Sequence, residues 1–114
     1  MDTTIGILGN DFDITTQFVE NIITNTKASQ DQNHIKMNII INNYLLNKNI
    51  NEINDILEKI KESNIDYLVL TVNDRRLYEL IEKKKIKIIN KTFDINDYNL
   101  IKKVINICGK EMQE

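Results

Sequence analysis

A chain of 114 residues, 41% hydrophobic and 28% charged, has the size and balance of one globular domain. That excludes disordered and collagen-like polymers and disfavours a two-domain enzyme with an interdomain cleft. Fifteen Lys and Arg against 17 Asp and Glu leave a formal charge of -2, so no net field attracts nucleic acid or anionic lipid.

In chain order, Thr4-Ile5-Gly6-Ile7-Leu8 is a short apolar run ending at Gly9. Asp13 to Lys27 follows with Ile14, Phe18, Ile22 and Ile23 at helical spacing. A second strand is expected over Ile35 to Ile41, then a helix over Ile50 to Ser63 with Ile53, Ile56, Leu57 and Ile60 on one face. Tyr67 to Val72 is a continuous apolar run typical of a strand covered on both sides, and a helix with Leu77, Leu80 and Ile81 comes next. Lys85 to Ile89 is the expected fourth strand. A helix over Ile95 to Lys110 closes the chain, with Leu100, Ile101, Val104, Ile105 and Cys108 on its apolar face. The chain has 22 Ile and 17 Asn, with no Pro and 3 Gly; Asn, which tolerates positive φ, is expected to supply turns and helix ends.

Alternating strands and helices predict a single α/β domain over 1–114, with a parallel sheet and helices on both faces. Lys36 and Asn38 interrupt the second strand, and Lys85 and Lys87 the fourth, as suits sheet edges. The expected order is 2-1-3-4, a four-stranded flavodoxin-like arrangement. Ligands in such sheets collect at the carboxyl ends of strands one and three. This makes Gly9 to Asp13 and Asn73 to Arg76 the candidate site, with Asn42 and Asn43 alongside.

The same positions resemble the cofactor-independent aspartate/glutamate racemases. Thr4 to Gly9 looks like that family's opening strand, and Asp31-Gln32-Asn33-His34-Ile35 looks like its Asp-Gln-Asp/Glu-His segment. Asn42-Asn43 matches the Asn-Asn that ends its second strand. Asp66 to Asn73 resembles its third strand, which in the family ends Pro-Cys-Asn-Thr-Ala-His. The resemblance covers residues 3 to about 92 and implies a racemase half-domain that uses no cofactor.

The departures concern the chemistry. The family's catalytic cysteine falls on Val72, its Thr on Asp74 and its His on Arg76. The glycine-rich turn is replaced by Asn10-Asp11-Phe12-Asp13, the carboxylate-binding arginine by Asn49 beside Lys48, and the second domain has no counterpart. Racemisation needs one group to remove the α-proton and an opposed one to return it. With Val72 at the first position, no catalytic residue is expected, and Gly9, Asn10, Asn42, Asn43, Asn73, Asp74, Arg75 and Arg76 are vestigial or ligand-binding.

The remaining reactive groups have structural explanations. Cys108 is alone, so it forms neither an intrachain disulfide nor a cysteine zinc cluster, and its spacing predicts a buried, inert thiol. His34, the only imidazole, is expected to be a hydrogen-bonding residue. Asp11, Asp13 and Asp74 resemble a magnesium cluster, but Asp13 and Asp74 also suit helix caps, and no metal is expected. Arg75 and Arg76 either clamp an anion or neutralise Asp11 and Asp13 across the cleft. Lys83 to Lys85 cap a helix end.

A non-catalytic protein-binding module is therefore expected, working by self-association or with a protein partner, as small antitoxin or immunity-type proteins do. Its interface is expected around Phe12, Tyr44, Asp11 and Asp13. In a homodimer, Asp11 and Asp13 of one copy would meet Arg75 and Arg76 of the other. The alternative is a racemase-like isomerase or an amino-acid sensor with a weak dicarboxylate ligand. The start of the chain lacks a basic leader and no apolar run approaches the ~18 residues that span a bilayer, so a cytoplasmic setting without membrane or nucleic-acid partners is expected.

Overall fold

The computed structural model describes residues 3–28 and 35–113. His34 and the Asp31 to Asn33 segment lie outside them, and so does the side chain of Cys108. The elements are β1 (Thr3–Gly9), α1 (Phe12–Ala28), β2 (Ile35–Ile41), α2 (Ile50–Glu62), β3 (Tyr67–Leu70), α3 (Arg75–Lys83) and α4 (Tyr98–Gln113), with one 3-10 turn at Leu45–Asn47. The strands form a parallel sheet in the order β2-β1-β3. Among the described residues no helix is long and apolar enough to cross a membrane.

Helix ends follow from local chemistry. Asn49 accepts from the Glu52 N–H at 2.9 Å while the Glu52 carboxylate accepts from the Asn49 N–H at 3.2 Å, a reciprocal cap that starts α2. Past the end of α2, Asn64 turns the chain at φ 59°, the use expected of asparagine. Lys85 makes the same turn after α3 at φ 58°.

The period of two along the strands divides the core. Ile5, Ile7 and Val69 pack with Phe18 and Ile22 of α1 and Ile101 and Val104 of α4. Leu8, Leu68, Leu70 and Val72 pack on the opposite face with Ile53 and Leu57 of α2 and Leu77 and Ile81 of α3. Helices thus cover both faces, as expected.

The expected fourth strand is not formed. Segment 86–90 does lie beside β3, but the pairing is one parallel bridge between Leu68 and Ile88. The Leu68 N–H donates to Lys87 O at 2.8 Å and the Ile89 N–H donates to Leu68 O at 2.9 Å. Two features stop the ladder there. The positive φ of Lys85 is incompatible with an extended start. At the other end the Asn90 side chain takes the next rung, accepting from the Leu70 N–H at 3.1 Å and donating to Leu70 O at 2.9 Å. Among the described residues the sheet has three strands, and a side chain finishes its β3 edge.

Candidate functional site

Beyond the carboxyl ends of β1 and β3 lies a hollow of about 560 Å³, at the place expected from the strand order. Asn10, Asp11 and Ile14 line one side and Thr71, Val72 and Asn73 another, while Phe93, Asp94 and Ile95 close it from the loop before α4. This last wall has no counterpart in the sequence-based site.

Most of the expected site residues are engaged inside the chain. Gly9 is buried below a hydroxyl pair in which Thr15 Oγ1 and Thr71 Oγ1 lie 2.7 Å apart. Asp11 starts α1, its carboxylate accepting from the Ile14 N–H at 3.0 Å and its carbonyl from the Thr15 N–H at 3.1 Å. The cap expected at Asp13 therefore falls two residues earlier, and Asp13 lies exposed in the first turn, where the helix dipole favours a carboxylate. Asn42 donates its N–H to Gly9 O at 2.9 Å and accepts from the Tyr44 N–H at 3.0 Å, while Asn43 is exposed. Asn49, where the resemblance would put an arginine, is spent on capping α2.

The third-strand end is equally committed. Val72 is 9% exposed and belongs to the α2 and α3 core. Asn73 makes a two-way amide pair with Phe93, donating to its carbonyl and accepting from its N–H, both at 2.9 Å. That pair ties the end of β3 to the loop that walls the hollow. Asp74 caps α3 by accepting from the Arg76 N–H at 2.9 Å, as expected.

The arginines do not reach across to Asp11 and Asp13. Arg76 pairs with Asp74 at 2.9 Å and donates to Lys48 O at 2.7 Å and Leu46 O at 3.2 Å, so it clasps the loop after β2. Arg75 points to solvent, 92% exposed, beside Glu79 at 3.3 Å. Sequence spacing carries no sign of the Arg76 clasp, since its carbonyl partners are 28 and 30 residues away and any residue type offers a carbonyl.

The hydrogen bond from the Arg76 guanidinium holds the Asp74 carboxyl below its ordinary value, outweighing the opposing effect of burial. A depressed folded pKa stabilises the protein above the unfolded value and loses that contribution as pH falls through the folded one. Urea midpoints measured downwards from pH 5 should therefore fall less steeply in Asp74→Asn than in the parent chain. Parallel curves would show that Asp74 adds nothing to acid lability.

Beside the exposed Asp13, Asn43 and Arg75, large apolar side chains also stay free. Phe12 is 61% exposed, Tyr44 70% and Leu46 47%, all at the carboxyl-end rim of β1 and β2. Asn10 Oδ1 is buried without a hydrogen-bond partner at the hollow's edge. Asp11 and Asp94 are the charged groups lining the hollow, and neither arginine reaches it. No cluster of three or more His, Cys, Asp or Glu is placed to hold a metal among the described residues.

A wider groove of about 830 Å³ runs between α3 and residues 85–92. The Tyr78 hydroxyl is buried there without a partner, and burial pushes its pKa up. Arg75, Lys85 and Lys91 balance Asp74, Glu79 and Glu82 around that groove, so it selects no charge class. Compared with protein-family models, curated proteins and solved structures, the chain matches none.

Proposed function

We propose that this chain is a non-catalytic, single-domain relative of the aspartate/glutamate racemases that acts as a protein-binding module. The order β2-β1-β3, with residue 88 bridged to the outer side of β3, is compatible with a shortened flavodoxin-like half-domain. One observation carries the functional reading. Asn42, Asn73, Asp74 and Arg76 are held by bonds within the chain, while Phe12, Tyr44 and Leu46 around them remain exposed. Exposed aromatics set among polar residues suit a protein interface better than a catalytic cleft. A separate protein partner, in the manner of antitoxin or immunity-type binders, is favoured over self-pairing at this rim. Arg76, one of the two arginines expected in the intersubunit ion pairs, is already clasped internally.

The alternative, an isomerase or a dicarboxylate sensor, fits the hollow poorly. An aspartate or glutamate ligand would face Asp11 and Asp94, with no cation among the described residues that line the hollow. α-Deuterated aspartate and glutamate should keep their deuterium at the rate of the buffer blank, and deuterium loss above it would overturn the reading. In the native host, a protein recovered in fixed ratio with the parent chain should be lost with Phe12→Asp and with Tyr44→Asp.

A further inference from the structure

We infer that the free edge of β2 pairs with the β2 of a second copy of this chain, in antiparallel register about a two-fold axis at Asn38. This interface is separate from the rim and does not depend on the reading of the rim.

Among the described residues β2 is the outermost strand on its side of the sheet, and all seven of its residues pair with β1 on the inner side. Asn42, directly after it, donates its N–H inwards to Gly9 O. Alternation along an extended chain then turns the N–H and C=O groups of Met37, Ile39 and Ile41 outwards. From Met37 to Ile41 the edge has no proline or charge, the devices that normally protect such an edge. It is also apolar. Ile39 is 45% exposed, and a groove of about 300 Å³ runs between the strand and α2, where Ile40, Ile41, Ile56 and Ile60 line it together with Asn38, Asn42, Ser63 and one cation, Lys59 of α2.

A second copy fits this edge because the register closes on itself. With Asn38 opposite its own mate, Met37 faces Ile39 and Ile35 faces Ile41, which matches outward backbone groups with outward backbone groups at every rung. Of the registers that match outward groups, the one centred on Asn38 pairs all seven residues. The axis stands perpendicular to the sheet, so the α1 and α4 layers of both copies fall on one side and the α2 and α3 layers on the other. Two parallel three-stranded sheets become one sheet of six.

Charge distinguishes this edge from the opposite one. Lys36 is the only charged residue of β2. It faces Ile40 of the other copy, and four residues at about 3.3 Å each separate the two lysines by roughly 13 Å, beyond the ~8 Å screening length. The same operation on segment 86–90, centred on Ile88, would set Lys85 directly against Lys91. Like charges placed opposite are destabilising.

A cysteine at the axis tests the register. In an antiparallel non-hydrogen-bonded pair the Cα atoms stand about 4.5 Å apart, within disulfide reach. In a Cys108→Ala background, Asn38→Cys should convert most of the chain to a covalent dimer on mild oxidation, and Lys36→Cys should not. Sedimentation of the parent chain should show a dimer at micromolar concentration. Ile39→Pro removes an outward N–H that β1 does not use, and should weaken self-association at least about tenfold with the far-ultraviolet circular dichroism unchanged. Phe12→Asp should leave the dimer intact. A parent chain that is monomeric at about 100 µM, no cross-link through Asn38→Cys, equal cross-linking through Lys36→Cys, or a dimer lost with Phe12→Asp would each overturn the inference. If Ile39→Pro fails to fold, the gain of the Asn38→Cys cross-link still decides it.

Discussion

Gly9→Ala should destabilise the protein by about 3 kcal/mol or more, although it adds only a methyl group to the end of a strand. The new Cβ would lie 2.1 Å from Thr15 Oγ1 and 2.4 Å from Thr71 Oγ1, well inside contact distance. Relief requires the two hydroxyls, now 2.7 Å apart and buried, to separate. Overpacking costs roughly 1–3 kcal/mol, and a buried polar group left without its partner adds about 1–3 kcal/mol. Against a total stability on the order of 5–15 kcal/mol, the change should be plain in urea unfolding. The penalty should shrink when Thr15→Ala and Thr71→Ala are present, because the clash is with those hydroxyls. An unchanged penalty in that background would place its origin elsewhere.

Asn90→Ala should cost a comparable amount for the opposite reason, by leaving groups unsatisfied. Asn90 is 7% exposed, and its amide bonds the N–H and carbonyl of Leu70 and the carbonyl of Thr92. Removing it strands a donor and an acceptor at the buried end of β3, a loss of about 2–6 kcal/mol at roughly 1–3 kcal/mol per group. Asn90→Asp makes the test specific. A carboxylate there still accepts from Leu70 but faces two carbonyl oxygens, so its folded pKa should rise above the unfolded value of about 3.9. The variant should accordingly gain stability as pH falls through the raised pKa, since the protonated acid donates where the amide did. Parent-like stability for Asn90→Ala at neutral pH, or an Asn90→Asp variant that weakens further in acid, would show that this side chain does not complete the sheet edge.

Most of the course of the chain was legible in the sequence, the fourth strand excepted. Short apolar runs and stretches of period 3.6 placed three strands and four helices, because those periods are local consequences of backbone geometry. The capping of α3 by Asp74 was legible for the same reason, since the bond spans two residues. The position of the hollow followed from strand order, which charge at the edges of β2 and of segment 86–90 suggested.

Tertiary structure decided what lies between distant segments. Whether Lys85 to Ile89 formed a strand depended on the Asn90 amide, which competes with the backbone for Leu70 from 20 residues away. The direction of Arg76 depended on two free carbonyls after β2, and carbonyls leave no mark in a sequence. The wall at Phe93 depended on Asn73, whose amide pairs with any backbone brought within reach. In each case a polar side chain meets a main-chain group, which every residue carries, so only the folded path of the chain selects the partner.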